Sequence, residues 1–223
     1  MNQKLLFQAI LKFFAGFLLI GVLLFIPAGT LHFRNAWIFM GVLFIPMLIM
    51  GIILMIKNPA LLEKRLNSKE QESEQKKVVQ FSGLMFLIGF LIAGLDYRFQ
   101  WLMLPDWLII ISAVIFLMGY AMYAEVLREN TYLSRIVEVQ EHQKVIDTGL
   151  YGIVRHPMYS ATILMFLSMP LILGSVFSFL IFLSYPVIII RRIRNEEKIL
   201  EEGLSGYIEY QKKVKYRLLP FIW

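Results

Sequence analysis

Cysteine is absent from this sequence. Its absence excludes disulfides, thiolate nucleophiles, iron–sulfur clusters and cysteine-ligated zinc. Histidine is scarce, and His32, His142 and His156 stand far apart. A histidine-based metal centre is therefore not expected, and no metal is assigned. Charged residues make up only 17% of the chain and are missing from several long runs. No Gly-x-Gly-x-x-Gly follows a strand pattern and no phosphate-binding loop occurs, so a soluble nucleotide-binding fold is not expected. Internal repeats and low-complexity tracts are also lacking.

What is present is apolar. Hydrophobic residues are 58% of the chain and mean hydropathy is +0.67, far above a soluble domain. These values predict an all-α integral membrane protein. A net charge of +6 is compatible with nucleic-acid binding. In a membrane chain it more simply reflects the cytoplasmic excess of lysine and arginine, and no nucleic-acid partner is expected.

A helix needs about 20 apolar residues to cross the hydrocarbon core. Uncharged runs fall at Phe13–Leu31, Ala36–Ile56, Val78–Leu95 and Trp107–Ala124. A fifth run, Pro157–Ile190, is too long for one span, since at about 1.5 Å per residue it would reach roughly 50 Å. Pro170 and Leu173–Ser175 near its middle predict a hairpin of two short helices. The expectation is about six transmembrane helices, followed by a cytoplasmic C-terminal helix. The chain reads as a single membrane domain, 1–223, with four spans in 1–124 and a loop, the hairpin and a tail in 125–223. With a cytoplasmic N-terminus, every lysine and arginine except Arg34 and Arg98 falls inside, as the positive-inside rule asks. Both termini are then cytoplasmic. A cleaved signal peptide is the alternative reading of the first run, but that run is long for one and its removal spoils the charge balance.

Three inside segments flank these spans. Lys57–Lys77 reads as a solvated helical connector. Glu125–His156 contains the alternating "RIVEVQ", a candidate extended piece. Arg191–Trp223 starts with helical spacing of Ile193, Leu200 and Leu204, which Gly203 and Gly206 interrupt.

The stretch "GLYGIVRHPMYSA" (Gly149–Ala161) stands at the mouth of the fifth span. Pro157 suits a first helical turn. That puts Arg155 and His156 at the boundary and Tyr159 one turn inside. As interfacial anchors these residues need no ligand. Arg192 and Glu196 share a helical face, and as an exposed pair they contribute only a few tenths of a kcal/mol. The hairpin, however, returns the chain to the side of His156. Histidine, tyrosine, arginine and the carboxylates of Glu196 and Glu197 then converge at one mouth. A carboxylate there suits ribose hydroxyls, and aromatic faces suit a sulfonium cation.

"GLYGIVRHPMYSA", "NEEKIL", "GYIEYQKKV" and "LLPFI" together resemble the C-terminal signature of the isoprenylcysteine carboxyl methyltransferase family, whose wider superfamily includes phospholipid methyltransferases. The resemblance covers roughly Gln143 to Ile222. It implies methyl transfer from S-adenosylmethionine to a lipid-like or prenylated acceptor from the bilayer, with a carboxylate the favoured target and the active site facing the cytoplasm. Carried across, Gln143, Lys144, Val145 and Ile146 line the cofactor and Tyr151 flanks it. His156, Pro157, Met158 and Tyr159 close around it, Glu196 binds it, and Arg192 faces the acceptor as the catalytic residue. An amine acceptor would need a base, for which Glu197 and His156 are the candidates. The chain departs from the family pattern at Gln143, where histidine is frequent, and at Ala161, where glycine is. Glu138 stands where a cofactor-binding glutamine is expected. Two other readings remain at this stage: a membrane isoprenoid or sterol reductase using NADPH, and a non-catalytic membrane protein such as a small transporter, which the lack of charges inside the six runs disfavours.

Overall fold

A computed structural model describes residues 3–67, 73–134, 136 and 139–223. Hydropathy and helix propensity act together along most of them. α1 (Gln3–Ala28), α2 (Arg34–Lys57), the short α3 (Pro59–Leu66), α4 (Ser73–Phe99) and α5 (Asp106–Glu129) form the first half. After a loop come α6 (Pro157–Ile172), α7 (Val176–Phe182), α8 (Ser184–Gly203) and α9 (Tyr207–Lys213). α1, α2, α4 and α5 are long and apolar enough to span a bilayer, as is the continuous pair α7–α8. α6 is shorter, with 16 residues, about 24 Å of rise against a core of about 30 Å. This is a multi-pass helical membrane protein. Its long helices display Phe7, Ile26, Ile56, Ile110 and Met118 outward, each more than 60% exposed, as a lipid-facing surface requires.

The expected hairpin is present, with its turn at Leu173–Ser175 between α6 and α7. The Ser175 hydroxyl accepts from Ser178 N and caps α7. It also donates to the Asp96 carboxylate at 2.6 Å, while Leu102 N donates to the other oxygen of Asp96. Asp96 is fully buried. The uncharged run ends at Leu95, but α4 continues to Phe99, so one helix carries an acidic side chain inside the bundle. Its two hydrogen bonds answer the cost of burying it and tie the hairpin turn to α4. Arg34 and Asp106 pair at the same end of the bundle.

α5 and α6 lie side by side because Gly119 lets them approach. A β-carbon there would stand 2.9 Å from Met165 Cγ and 3.1 Å from Ala161 O. Phe33, Phe39, Phe116 and Phe182 are wholly buried between the helices.

The Lys57–Lys77 segment is helical over α3, as expected, but it is more than a connector. Asn58 caps α3 by accepting from Leu61 N, and Arg65 donates to Ser134 O at 3.0 Å and to the Tyr123 hydroxyl. α3 thereby holds Ser134 against α5. The "RIVEVQ" expectation falls largely on residues 135, 137 and 138, and it lies outside the described residues together with the role suggested for Glu138. Gly203 ends α8 and Gly206 precedes α9, in keeping with the interruption read from the sequence.

Candidate active site

The site is built at the end of the bundle where α5, α6 and α8 emerge. The Gly149–Gly152 segment forms a single 3-10 turn pinned to the end of α5. Leu150 N donates to a carboxylate oxygen of Glu129, and Asn130 Nδ2 donates to the Tyr151 hydroxyl at 2.9 Å. Gly149 is required there, because its φ is +50° and a β-carbon would fall 1.6 Å from Glu129 Oε1.

Arg155 and His156 are not interfacial anchors. Arg155 is 8% exposed and His156 5%, and both meet the buried carboxylate of Glu197. Arg155 Nε donates to Glu197 Oε1 at 2.8 Å, and His156 Nε2 lies 3.2 Å from the same oxygen. Arg217 Nε donates to the other oxygen at 2.7 Å. Arg155 also donates to the carbonyls of Val214 and Lys215. The tail then pairs with this stretch through its backbone: Arg155 N and His156 N donate to Tyr216 O and Arg217 O, both at 2.9 Å. A desolvated carboxylate persists only where charge and hydrogen bonds surround it, and Glu197 has both. This corrects its suggested role as a base, since its oxygens are engaged in the clamp and it does not line the cavity beside it.

That cavity is lined by Gln143, Lys144, Val145, Ile146, Tyr151, His156, Met158, Tyr159, Arg192 and Glu196. All of the expected site residues therefore converge except Pro157, which is buried at the first turn of α6 and serves to start the helix. Tyr159 stands at the centre. Its hydroxyl donates to Glu196 Oε2 and accepts from Arg192 Nε at 2.8 Å, and its ring lies 5.8 Å from that of His156. Arg155 lines it too, and Asn130, Tyr132, Leu133, Ser134, Ile136, Leu200, Leu204, Tyr207 and Tyr210 complete the lining; the sequence reading missed these nine as site residues. For Leu200 and Leu204 the only signal was helical spacing, and for Tyr207 and Tyr210 it was their place in "GYIEYQKKV". Tyr210 donates to Tyr151 O at 2.7 Å, which docks α9 on the 3-10 turn. Burial pushes the phenols of Tyr151, Tyr207 and Tyr210 well above the usual tyrosine range. They are therefore neutral and serve as hydrogen-bonding groups and apolar faces. The Tyr207 hydroxyl is buried with no hydrogen-bond partner.

A second cavity, of about 600 Å³, opens between α2, α4, α5, α6 and α8. Its walls are mostly apolar, with Met47, Leu54, Phe86 and Phe166 among them. It shares Ser134, Met158, Tyr159 and Arg192 with the first cavity. Arg65 also lines it, a cation that reading Lys57–Lys77 as a connector passed over.

A mostly apolar cavity among membrane-spanning helices that shares walls with a polar and aromatic one is the class of site that fold and lining define. Residues 107–205 match the model of the phospholipid methyltransferase family. The fold is that of the eukaryotic intramembrane Ras methyltransferase ICMT (isoprenylcysteine carboxyl methyltransferase), with a TM-score of 0.58 and 19% identity over 96% of this chain and 77% of that one. The Delta(14)-sterol reductase TM7SF2 of Mus musculus is 29% identical over 84 residues, 36% of this chain. The match spans only 20% of that reductase's length. Residues 107–205 thus resemble the phospholipid methyltransferase family, and the chain as a whole has an ICMT-like membrane fold.

Proposed function

We propose that this protein is an S-adenosylmethionine-dependent membrane methyltransferase acting on a lipid-like or prenylated acceptor, with a carboxylate as the methylated group. Residues 1–124 serve as the membrane scaffold and 125–223 as the catalytic half, facing the cytoplasm with both termini. The observation that carries this reading is the meeting of two unlike cavities at Met158, Tyr159 and Arg192. One is polar and aromatic, the other mostly apolar and set among the spanning helices.

The residues present fit the cofactor. Glu196 offers a carboxylate suited to ribose hydroxyls, through charge-assisted hydrogen bonds. The unpartnered Tyr207 hydroxyl offers a further polar contact. Tyr151, Tyr159 and Tyr210 present aromatic faces toward a sulfonium. The polar cavity is narrow, about 100 Å³, against about 300 Å³ for the smallest ordinary ligand pockets. Binding therefore requires this cavity to widen.

When bound, adenosylmethionine supplies an electrophilic methyl group, so the protein has mainly to position and desolvate. A carboxylate acceptor needs no base. Arg192 would hold it by its planar guanidinium and keep it from being buried unpaired, while Tyr159 holds the Arg192 fork in place. Arg65 would add a second cation near the acceptor head. The apolar walls receive the tail and exclude water.

Binding titrations in detergent test the reading. Adenosylmethionine or adenosylhomocysteine should bind the purified protein, and NADPH should not. The reductase reading has one specific support, the sequence similarity to TM7SF2. NADPH binding without adenosylmethionine binding would replace the methyltransferase reading with that one.

A further inference from the structure

α8 presents a second chemical face. Arg191, Arg194, Asn195 and Lys198 recur at the spacing of one helical stripe, turned away from Arg192 and Glu196. They end a groove of about 830 Å³ between α4 and α8. Its walls are apolar, and Phe81, Leu84 and Val187 are each more than half exposed along it. Gln75, at the start of α4, is fully buried and lines the same end. Its amide donates to Arg192 O at 3.5 Å, but its Oε1 has no partner, and neither has the buried Nδ2 of Asn195. Thus one end of the groove is cationic and holds a buried acceptor and a buried donor without partners. The rest is a greasy channel along membrane-spanning helices.

We propose that this groove binds one anionic phospholipid, distinct from the methyl acceptor. Arg191, Arg194 and Lys198 receive its phosphate. Asn195 Nδ2 donates to a phosphate or ester oxygen, and Gln75 Oε1 accepts from a headgroup hydroxyl. An acyl chain lies along Phe81, Leu84 and Val187. The charge pattern selects the occupant, since basic pockets between spanning helices suit anionic headgroups and a wholly apolar partner would leave these cations and amides unanswered. Because the site lies on the other side of α8 from the reaction cavities, the proposal stands apart from the methyltransferase reading.

Native mass spectrometry of delipidated protein in detergent tests it, with phosphatidylglycerol and phosphatidylcholine of matched chains as probes. One phosphatidylglycerol should be retained in preference to phosphatidylcholine. The Arg191→Gln/Arg194→Gln/Lys198→Gln variant should weaken that binding about a hundredfold, the loss of three surface cations. Asn195→Leu should weaken it with all the cations in place. Equal retention of the two lipids, or an unchanged triple variant, overturns the proposal. So does displacement of phosphatidylglycerol by an equal concentration of inorganic phosphate, which would make this a free-phosphate site. The lipid comparison on the unmodified protein decides alone should the triple variant fail to fold.

Discussion

Tyr159 joins Arg192 to Glu196 through one hydroxyl, and the roles of the three can be separated by substitution. Glu196→Gln keeps the shape and loses charge-assisted hydrogen bonds of about 1.5–3 kcal/mol each, so titration should show adenosylmethionine affinity down about tenfold or more. Glu201→Gln is the control, because Glu201 is exposed, accepts from Gln211 and does not line the cavity; affinity should stay unchanged. Arg192→Lys retains the charge but not the planar fork. Methyl transfer should fall sharply in a turnover assay while cofactor affinity remains near normal; near-normal turnover would count against a carboxylate clamp. Arg192 and Glu196 were legible because a four-residue spacing on a helix is local information. Arg65 was not, since its place beside Tyr123 and Ser134 depends on contacts across dozens of residues. Glu197 was misread for the same reason, because its neighbours Arg155 and Arg217 lie far from it along the chain.

Among the elements, the C-terminal tail depends most on such distant contacts. It is fastened by the Glu197 clamp, by backbone pairing to Arg155 and His156, and by Ser160 donating to Leu218 O at 2.7 Å. Glu197→Ala leaves the buried Arg155 guanidinium short of its partner, a kind of break that costs about 3–5 kcal/mol. Thermal unfolding in detergent should show that loss, along with protease sensitivity beyond Gly206. The buried phenols add a pH dependence. The folded state holds the protons of Tyr151, Tyr207 and Tyr210 more tightly than the unfolded chain does. Their contribution is present in full below about pH 10, the ordinary tyrosine value, and is lost as pH rises beyond it. Melting temperature should therefore fall above that pH, and less steeply in Tyr207→Phe. The hairpin could be read from run length and from Leu173–Ser175, and the break after α8 from Gly203 and Gly206. The docking of α9 could not, because the Tyr210–Tyr151 hydrogen bond has no periodic signature.

For the whole molecule, hydropathy was the stronger guide. Five spanning helices and the shorter α6 correspond to the six expected segments, since run length against bilayer thickness is a direct physical constraint. Asp96 escaped it because a buried acid at a helix end is tolerated only through partners on other elements. Arg34 and Arg98 both lie at the hairpin-turn end of the bundle, remote from the site. Charge asymmetry then predicts that tags at Met1 and Trp223 are both accessible from the cytoplasm; an external C-terminal tag would place the polar cavity on the wrong side of the membrane for a cytoplasmic cofactor. The most direct measurement follows a labelled methyl group from adenosylmethionine into membrane extracts by mass spectrometry, comparing active protein with Glu196→Gln. The methyltransferase reading predicts a labelled, lipid-like methyl ester that appears with active protein and drops at least about tenfold with the variant. No protein-dependent label, or label unaffected by Glu196→Gln, would contradict it.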